Sequence, residues 1–323
     1  MTRSTIIFGN GLGMALDPNY FSLASGLSHV WDNTFRFTAE HKRLVASALP
    51  GLTDQDFPRS EDQLDKLQMT IVASEFLRAF EQGDVKWLSD HSRRFPEAFR
   101  NFIHEVASYF HNSIEELPDD FLTALAKYAA GSVSHIATLN YDNLLYDPFV
   151  KCGLASGFNG TLLDGFTRRD GFSAKNLERY RPAEKSWYLH LHGSPLFIEN
   201  RKVMGASRGL LTPTDRCHIV LTHIRHKPSI IDASPILREY WKALREALRE
   251  SDLIILFGYS GDDAHLNDLL VALCAKKPIH IIEWSGAGDN AKRTRRWNTK
   301  LKSCEITLHQ LDNILAFTEW CNL

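Results

Sequence analysis

Apolar runs of strand length, separated by stretches with helical spacing, constrain the fold of this chain most strongly. The clearest predicted strand is LIILFGYS at residues 253–260. Other strands are predicted at about 5–8, 134–142, 187–193, 218–224 and 278–284, with a last strand and helix through 311–320. A strand that is apolar at every position must be covered on both faces, as strands of a parallel sheet are. The pattern therefore predicts an α/β fold with a parallel sheet and helices on both faces.

Between about residues 36 and 131 the pattern changes from strands to helices. Ser60 and Gln63 have the spacing of a capping box at the start of one helix. Asp119 begins another helix, which Gly131 can end as the residue after the C-cap. These helices carry apolar stripes but no convergent polar groups. We predict one domain over residues 1–323, with a Rossmann-like core at about 1–35 and 132–323 and a helical insertion at about 36–131.

Composition and charge exclude several classes of protein. Of 323 residues, 44% are hydrophobic and 24% are charged, and the formal net charge is −2. Neither a disordered chain nor a molecule with a general attraction for nucleic acid is indicated. The five cysteines form no C-x-x-C pair, which argues against a disulfide framework and a zinc ribbon. We find no signal-peptide pattern and no membrane span of ~18 apolar residues, and we expect a cytoplasmic protein that does not bind membranes.

Polar or glycine residues follow four of the predicted strands. The carboxyl ends of strands in an open parallel sheet border a crevice in which ligands bind. We therefore predict a binding site at this edge of the sheet. The four strand ends carry Gly9, Asn10 and Gly11; Asn140 and Asp142; His190, His192, Gly193 and Ser194; and Gly258, Tyr259, Ser260 and Gly261.

Each of these segments, taken alone, has an ordinary structural explanation. GNGLG at 9–13 lacks the third glycine of a dinucleotide-binding turn and could be a strand-to-helix turn that needs positive φ. FGYSGDD could bind a phosphate at a helix N-terminus, or it could be a loop with Asp262 as the N-cap. His190 and His192 are two apart on a predicted strand and so point to one face. We interpret His190 as a buried, hydrogen-bonded core residue and His192, at the strand tip, as the site candidate.

Two clusters of charged residues are interpreted as having no role in a binding site. Acidic residues and a histidine near the start of one predicted helix could suggest a metal, but capping and the helix dipole explain them more simply. The run KRTRRW at 292–297 is interpreted as a solvated face. No metal site is predicted. The residues of the first group are Asp262, Asp263, His265 and Asp268.

Taken together and in this order, the four strand ends resemble the sirtuin superfamily, in particular the sirtuin-like NAD hydrolases of bacterial anti-phage defence. GNG at 9–11 resembles the Gly-Ala-Gly loop of that family, and Asn140-x-Asp142 resembles its Asn-x-Asp pair. LHGS at 191–194 resembles the motif of the catalytic histidine, and GYS at 258–260 resembles the Gly-Thr-Ser loop. The resemblance covers the beginning of the chain and most of the segment after about residue 132. The helical block corresponds in position to the variable insertion of the family.

The resemblance implies a role for each residue. Asn140 would serve the ribose and the attacking nucleophile, Asp142 would hold nicotinamide, and His192 would act as general base or bind the ribose. The remaining candidates for nucleotide binding are Gly9, Asn10, Gly11, Gly193, Gly258, Tyr259, Ser260 and, on the strand PIHIIEW, Glu283.

Two departures from the family bear on the reaction. Sirtuin deacylases carry two C-x-x-C pairs for a structural zinc ion, and this chain has none. Gly13 stands where the glycine loop often has serine. We expect NAD to be a substrate that is cleaved to nicotinamide and ADP-ribose, or to cyclic ADP-ribose, without a metal. The alternatives are a non-catalytic sensor of NAD or ADP-ribose and, third, an NAD-dependent deacylase.

The aromatic residues of the helical block bear on partners. Apolar stripes must be buried against the sheet, against another subunit, or against both. Trp87, Tyr109 and Phe110 belong to this block. We expect a homo-oligomer in which the block covers the NAD crevice or forms a contact. The family resemblance adds the expectation of a defence partner such as an ATPase.

Overall fold

The computed structural model describes residues 2–34, 36–53, 55–83, 85–155, 160–167, 170–203, 218–222, 226–302 and 304–323. The strands in this part of the chain are β1 (Ser4–Phe8), β2 (His135–Thr138), β3 (Leu162–Leu163), β4 (Phe166–Thr167), β5 (Gly171–Phe172), β6 (Ser186–His190), β7 (Phe197–Ile198), β8 (Arg201–Lys202), β9 (Leu253–Phe257), β10 (Pro278–Trp284) and β11 (Glu305–Leu311). Seven of them form a sheet in the order β11-β10-β9-β1-β2-β6-β3, and all its pairs are parallel.

Twelve α-helices in the described part of the chain pack around this sheet. They are α1 (Gly11–Leu16), α2 (Pro18–Phe21), α3 (Leu23–Asn33), α4 (Ala39–Ala48), α5 (Glu61–Ala79), α6 (Asp90–His111), α7 (Asp119–Ser132), α8 (Tyr146–Lys151), α9 (Lys227–Ala233), α10 (Pro235–Glu250), α11 (Ala264–Cys274) and α12 (Asn290–Lys300). Every residue of β1, β2, β6 and β9 is buried, so both faces of the central sheet are covered. The predicted α/β fold with a Rossmann-like parallel sheet is confirmed.

The helical block lies between β1 and β2. Two of its helices, α4 and α5, and the preceding helix α3 pack on α6, whose phenylalanines form the centre of the block. The buried residues of α5 recur at helical spacing, although its exposed face also carries apolar side chains. The division of the chain into core and insertion at residues 36 and 131 remains a prediction. No helix in the described part of the chain is long and apolar enough to cross a membrane.

Ser60 is the N-cap of α5 as predicted, but the capping box there and the predicted end of α7 are wrong. The Gln63 side chain accepts a hydrogen bond from the backbone N–H of Arg59, 2.6 Å away, and the Ser60 hydroxyl does not cap α5, so there is no capping box. Helix α7 continues through Gly131 to Ser132, and Val133 takes the left-handed conformation with φ 51°. Side-chain chemistry at helix ends depends on the approach of the preceding chain, which spacing alone does not define.

Two predicted elements also differ from the structure. Residues 218–222 are buried but form no strand, and 223–224 lie outside the described residues. The chain after β11 makes short 3-10 turns at Ile314–Ala316 and Trp320–Asn322 instead of a helix. Apolar residues occur in both segments, but there are too few of them to separate an element from a packed loop.

Candidate active site

The carboxyl ends of β9, β1, β2 and β6, which are neighbours in the sheet, border a cleft of about 960 Å³. This volume lies near the upper end of the range of roughly 300–1,000 Å³ that is usual for small-molecule sites. All predicted site residues except Gly193 line the cleft: Gly9, Asn10, Gly11, Asn140, Asp142, His192, Gly258, Tyr259, Ser260 and Glu283. The expectation that four strand ends form one crevice is therefore met by the geometry.

Close packing of two loops explains the glycines beside β1 and β9. The N–H of Gly11 donates to the carbonyl of Gly258 at 2.8 Å, and a Cβ on Gly11 would lie 2.6 Å from the Gly258 Cα. Gly9, Gly11 and Gly13 do not have positive φ, so the interpretation of GNGLG as a turn that needs positive φ is wrong, whereas Gly258 has φ +59°. A side chain on Gly13 would collide with the Phe21 ring, which explains why serine is absent there. The backbone therefore borders the cleft directly.

Asn140 has a fixed side chain with one open polar atom. Its Nδ2 donates to the Gly9 carbonyl at 3.1 Å, and its backbone N–H donates to the Thr138 hydroxyl at 3.0 Å. The Oδ1 atom is buried and has no hydrogen-bond partner among the described residues. A buried amide oxygen without a partner carries a desolvation cost that a bound hydroxyl or water would remove. This atom suits an acceptor for a ligand O–H.

Asp142 lies two residues beyond Asn140 and is also buried. Its Oδ1 accepts from the backbone N–H of Leu144 at 3.1 Å. Burial raises the pKa of the Asp142 carboxyl to about 6, although hydrogen bonds from Leu144 and Asn140 oppose the shift. A carboxyl that is partly protonated near neutral pH can both donate and accept, as an amide ligand requires.

His192 is held by a carboxylate. Its Nε2 lies 3.0 Å from Oδ2 of Asp263, and both side chains are buried. Asp263 is the N-cap of α11 and accepts from the Leu266 N–H, so the predicted N-cap, Asp262, is wrong by one residue. Burial alone would raise the pKa of Asp263, but the hydrogen bond from His192 and the charges of His192 and Lys227 lower it below its usual range. Asp263 is therefore an anion that orients the imidazole.

The helical block supplies part of the cleft wall. Glu61 of α5 and Phe110 of α6 both line it. Glu61 Oε2 lies 3.2 Å from Nζ of the buried Lys227, which in turn lies 3.2 Å from Asp263 Oδ2. The sequence analysis missed Glu61, Lys227 and the role of Asp263. Of these three, only Asp263 could be recognised from its neighbours, because it lies directly before a helix. Its position was interpreted as helix capping alone.

The side chains of Tyr259 and Glu283 are occupied by contacts within the protein. The Tyr259 hydroxyl lies 2.9 Å from Asn267 Oδ1 and accepts from the Asp263 N–H at 3.1 Å. Glu283 accepts from Arg293 through Nε at 2.9 Å and Nη2 at 2.5 Å, and from Trp297 Nε1 at 3.0 Å. Arg293 and Trp297 are buried, so the interpretation of residues 292–297 as a wholly solvated face is wrong. The roles of Tyr259 and Glu283 in nucleotide binding remain predictions.

His190 is a core residue. It is buried among the rings of Tyr146, Tyr188 and Phe197, and burial holds its pKa well below the usual value. Neither ring nitrogen has a hydrogen-bond partner within the described ranges, so the expectation of a hydrogen-bonded core histidine is wrong in that respect. Strand β6 ends at His190, so His192 lies outside the strand in a turn and does not share its alternation.

Gly193 follows His192 in the same turn. Its φ is +85°, and a Cβ there would lie 1.5 Å from the His218 carbonyl oxygen. Glycine is therefore needed at this position for its backbone conformation.

The described residues contain no group of three or more His, Cys, Asp or Glu side chains that could hold a metal ion.

The chain is similar to known proteins. A family model described as a SIR2-like domain matches residues 134–301, which is more than half of the 323 residues. No curated protein matches the chain. A solved structure described as "Structural Basis for the Mechanism and Regulation of Sir2 Enzymes" is similar over 99% of this chain and 92% of its own, with 12% sequence identity and a TM-score of 0.39.

Proposed function

The chain belongs to the SIR2-like domain family, and from this membership we propose that it binds NAD in the cleft and hydrolyses it to nicotinamide and ADP-ribose. The observation that carries the proposal is the meeting of Asn140, Asp142 and His192 in one cleft at the strand ends. Each brings a different property: an open amide oxygen, a partly protonated carboxyl, and an imidazole oriented by Asp263.

The reaction breaks the bond between the ribose anomeric carbon and the nicotinamide nitrogen, whose electron pair goes to the neutral nicotinamide. Water attacks the oxocarbenium-like carbon, and the proton it loses is taken by a base. In this scheme Oδ1 of Asn140 accepts a hydrogen bond from the water, and His192 takes the proton. The Asp263 carboxylate stabilises the imidazolium that forms. Asp142 binds the nicotinamide amide, which has one acceptor and two donor hydrogens.

Hydrolysis is favoured over the alternatives by particular features of the site. A sensor that only binds NAD requires neither an oriented base nor an acceptor for water, yet His192 is fixed by Asp263 and Asn140 keeps an open oxygen. A deacylase of this family would carry two C-x-x-C pairs, and the sequence has none. Capture of the anomeric carbon by the adenine of the same molecule, instead of by water, would give cyclic ADP-ribose.

Incubation of the purified chain with NAD and a chelator tests this proposal. We expect nicotinamide and ADP-ribose, separated by chromatography, with no dependence on added metal. The same run distinguishes linear from cyclic ADP-ribose. Tight NAD binding by calorimetry with no product would instead favour the sensor, and transfer of an acyl group from a lysine peptide would favour the deacylase.

The outer face of the helical block supports a proposed homo-oligomer. On α5 and in the segment that follows it, six large apolar side chains are more than half exposed: Met69, Val72, Phe76, Phe80, Val85 and Trp87. We define these six, of which the first three lie on α5 and the last three follow it, as the α5 stripe. Contiguous exposed apolar patches are typical of protein interfaces. Phe110, by contrast, is buried and faces the cleft, and Tyr109 stacks on Tyr20, so neither belongs to this surface.

NAD depletion in anti-phage defence is the cellular role that this activity would serve, with an ATPase as a candidate partner. Expression of the wild-type chain in infected bacteria, followed by measurement of cellular NAD, tests this role. We expect NAD to fall after infection in cells with the wild-type chain and to stay constant in cells with the His192→Ala variant. Constant NAD in both strains would contradict the role.

A further inference from the structure

A line of side chains joined by a hydrogen bond and ion pairs runs from His192 to the surface of the helical block. Nε2 of His192 lies 3.0 Å from Oδ2 of Asp263, and the same oxygen lies 3.2 Å from Nζ of Lys227. That Nζ lies 3.2 Å from Oε2 of Glu61. The side chains of His192, Asp263 and Lys227 are only 8%, 5% and 5% exposed, whereas that of Glu61 is 38% exposed. The line is therefore buried at three residues and reaches solvent at the fourth.

These four residues come from four separate elements. His192 follows β6, Asp263 caps α11, Lys227 begins α9, and Glu61 begins α5. The last of these places one end of the line in the helical block. A contact that joins residue 61 to residue 227 joins the block to the catalytic edge of the sheet.

One oxygen of Asp263 contacts both the His192 imidazole and the Lys227 ammonium. Oδ1 accepts from the Leu266 N–H at 3.0 Å, which leaves Oδ2 for both His192 and Lys227. The two compete for its charge, because a closer ammonium reduces the negative charge available to the imidazole. Glu61 attracts the ammonium from the other side. The position of Lys227 between the two carboxylates therefore sets how strongly Asp263 holds His192.

A second contact fastens α5 to the same segment. Oδ1 of Asp65, one turn along α5 from Glu61, lies 2.7 Å from Nε2 of His226. His226 directly precedes Lys227. Two neighbouring residues are thus tied to the first two turns of one helix, so a shift of that helix end would move Lys227 with it.

We propose that Lys227 is a positioning residue for His192, and that Glu61 makes this position depend on where the first turn of α5 lies. The inference rests on the proposed function in taking His192 as the base, but the contact it concerns can be observed without substrate. The helical block would then control the catalytic group through an ion-pair chain, as well as covering the cleft.

The test compares three variants with a matched control. Lys227→Met removes the middle charge, Glu61→Gln removes the outer one, and Lys227→Arg keeps a cation. Glu75→Gln makes the same change on α5 as Glu61→Gln, but it breaks an ion pair to Arg100 on α6. In ¹⁵N-histidine-labelled protein, the ring resonances of His192, assigned by their loss in His192→Ala, report its hydrogen bond directly.

We expect the His192 resonances to move in Lys227→Met and Glu61→Gln and to stay in place in Glu75→Gln. Turnover of NAD should fall about tenfold in Lys227→Met, because a hydrogen-bonded charge is lost. It should fall about threefold in Glu61→Gln, because that pair is partly exposed. The effect should appear mainly in kcat, because the variants change the position of the base. Lys227→Arg should recover most of the activity.

Unmoved His192 resonances in folded Lys227→Met and Glu61→Gln proteins would overturn the inference. If Lys227→Met does not fold, as judged by circular dichroism, Glu61→Gln decides, because its side chain is partly exposed and its loss leaves no deeply buried carboxylate. Moved resonances in a protein that cleaves no NAD, even as wild type, would support the positioning role while contradicting the proposed function. The two failures are thus distinguishable.

Discussion

The sheet edge and the helical block use polar side chains in opposite ways. At the sheet edge, Asn140, Asp142 and His192 are buried with polar atoms directed at a cleft, and Asn140 Oδ1 has no partner among the described residues. In the helical block the interior is built from aromatic rings such as Phe99 and Phe102, and charged groups lie mostly outside. The polar groups that a ligand could satisfy therefore lie at the sheet edge. Burying them without a partner costs stability.

The largest effect is expected from His192→Ala. Removal of the base should lower kcat about 100-fold or more. The melting temperature should change little, because Asp263 keeps its ion pair with Lys227 and no buried charge is left alone. Steady-state kinetics and a thermal melt measure both. If His192→Ala melts at a much lower temperature but keeps full activity while folded, His192 is a core residue and not the base.

Asp142→Asn tests how the buried carboxyl affects the stability of the protein. The folded-state pKa of Asp142 is about 6, above the ordinary value of 3.8. The folded protein therefore binds more protons between these pH values, so the stability associated with this group is present below about pH 4 and is lost as pH rises through about 6. Asparagine removes that loss and should stabilise the protein at pH 7 by about 2–3 kcal/mol.

Denaturant unfolding of wild type and Asp142→Asn at pH 4 and pH 7 measures this difference. The gap between the two proteins should be small at pH 4 and large at pH 7. Equal stability at both values would contradict a buried carboxyl with a raised pKa.

His190→Ala tests the neighbouring histidine as part of the core. It should lower the free energy of unfolding by roughly 1–3 kcal/mol through the cavity it leaves. His190→Leu should recover much of this loss, because the ring nitrogens have no hydrogen-bond partner in the described structure. Both variants should retain NAD cleavage. The opposite pattern, with lost turnover and unchanged stability, would mean that the two histidines have exchanged roles.

The smallest effect on stability is expected from Phe76→Asp in the α5 stripe. Phe76 is 61% exposed, so the monomer should change by about 0.5 kcal/mol or less. Light scattering should nevertheless show a smaller particle than wild type, because a charge in an apolar interface must be desolvated. Arg78→Ala, on the same helix and outside the stripe, serves as the control. A wild-type monomer at micromolar concentration would remove the oligomer proposal.

The sheet edge could be predicted because its signals are local. An apolar run followed by Asn140 and Asp142 shows both the strand and the residues at its end, and parallel pairing then brings four such ends together. The contribution of the helical block could not be predicted in this way. Glu61 and Lys227 are separated by 166 residues, and no pattern along the chain records that they pair.

Two local features could not be predicted, because each depends on a difference of one residue position. Asp262 and Asp263 are equally good caps by type, and only the direction of the chain after Gly261 makes Asp263 the cap and the partner of His192. Arg293 lies in a run of basic residues, but the turn of α12 directs it inward to Glu283. Helical phase and loop direction depend on tertiary packing, which propensity does not include.

The most direct test of the central claim is a comparison of wild type and Asn140→Ala for both NAD binding and NAD cleavage. Calorimetry gives the dissociation constant of each, and chromatography gives nicotinamide release. We predict that both proteins bind NAD within about tenfold of each other, since one hydrogen bond is lost, and that only the wild type releases nicotinamide. Failure of both to bind NAD, or equal nicotinamide release by both, would contradict the assignment of this cleft as an NAD-cleaving site.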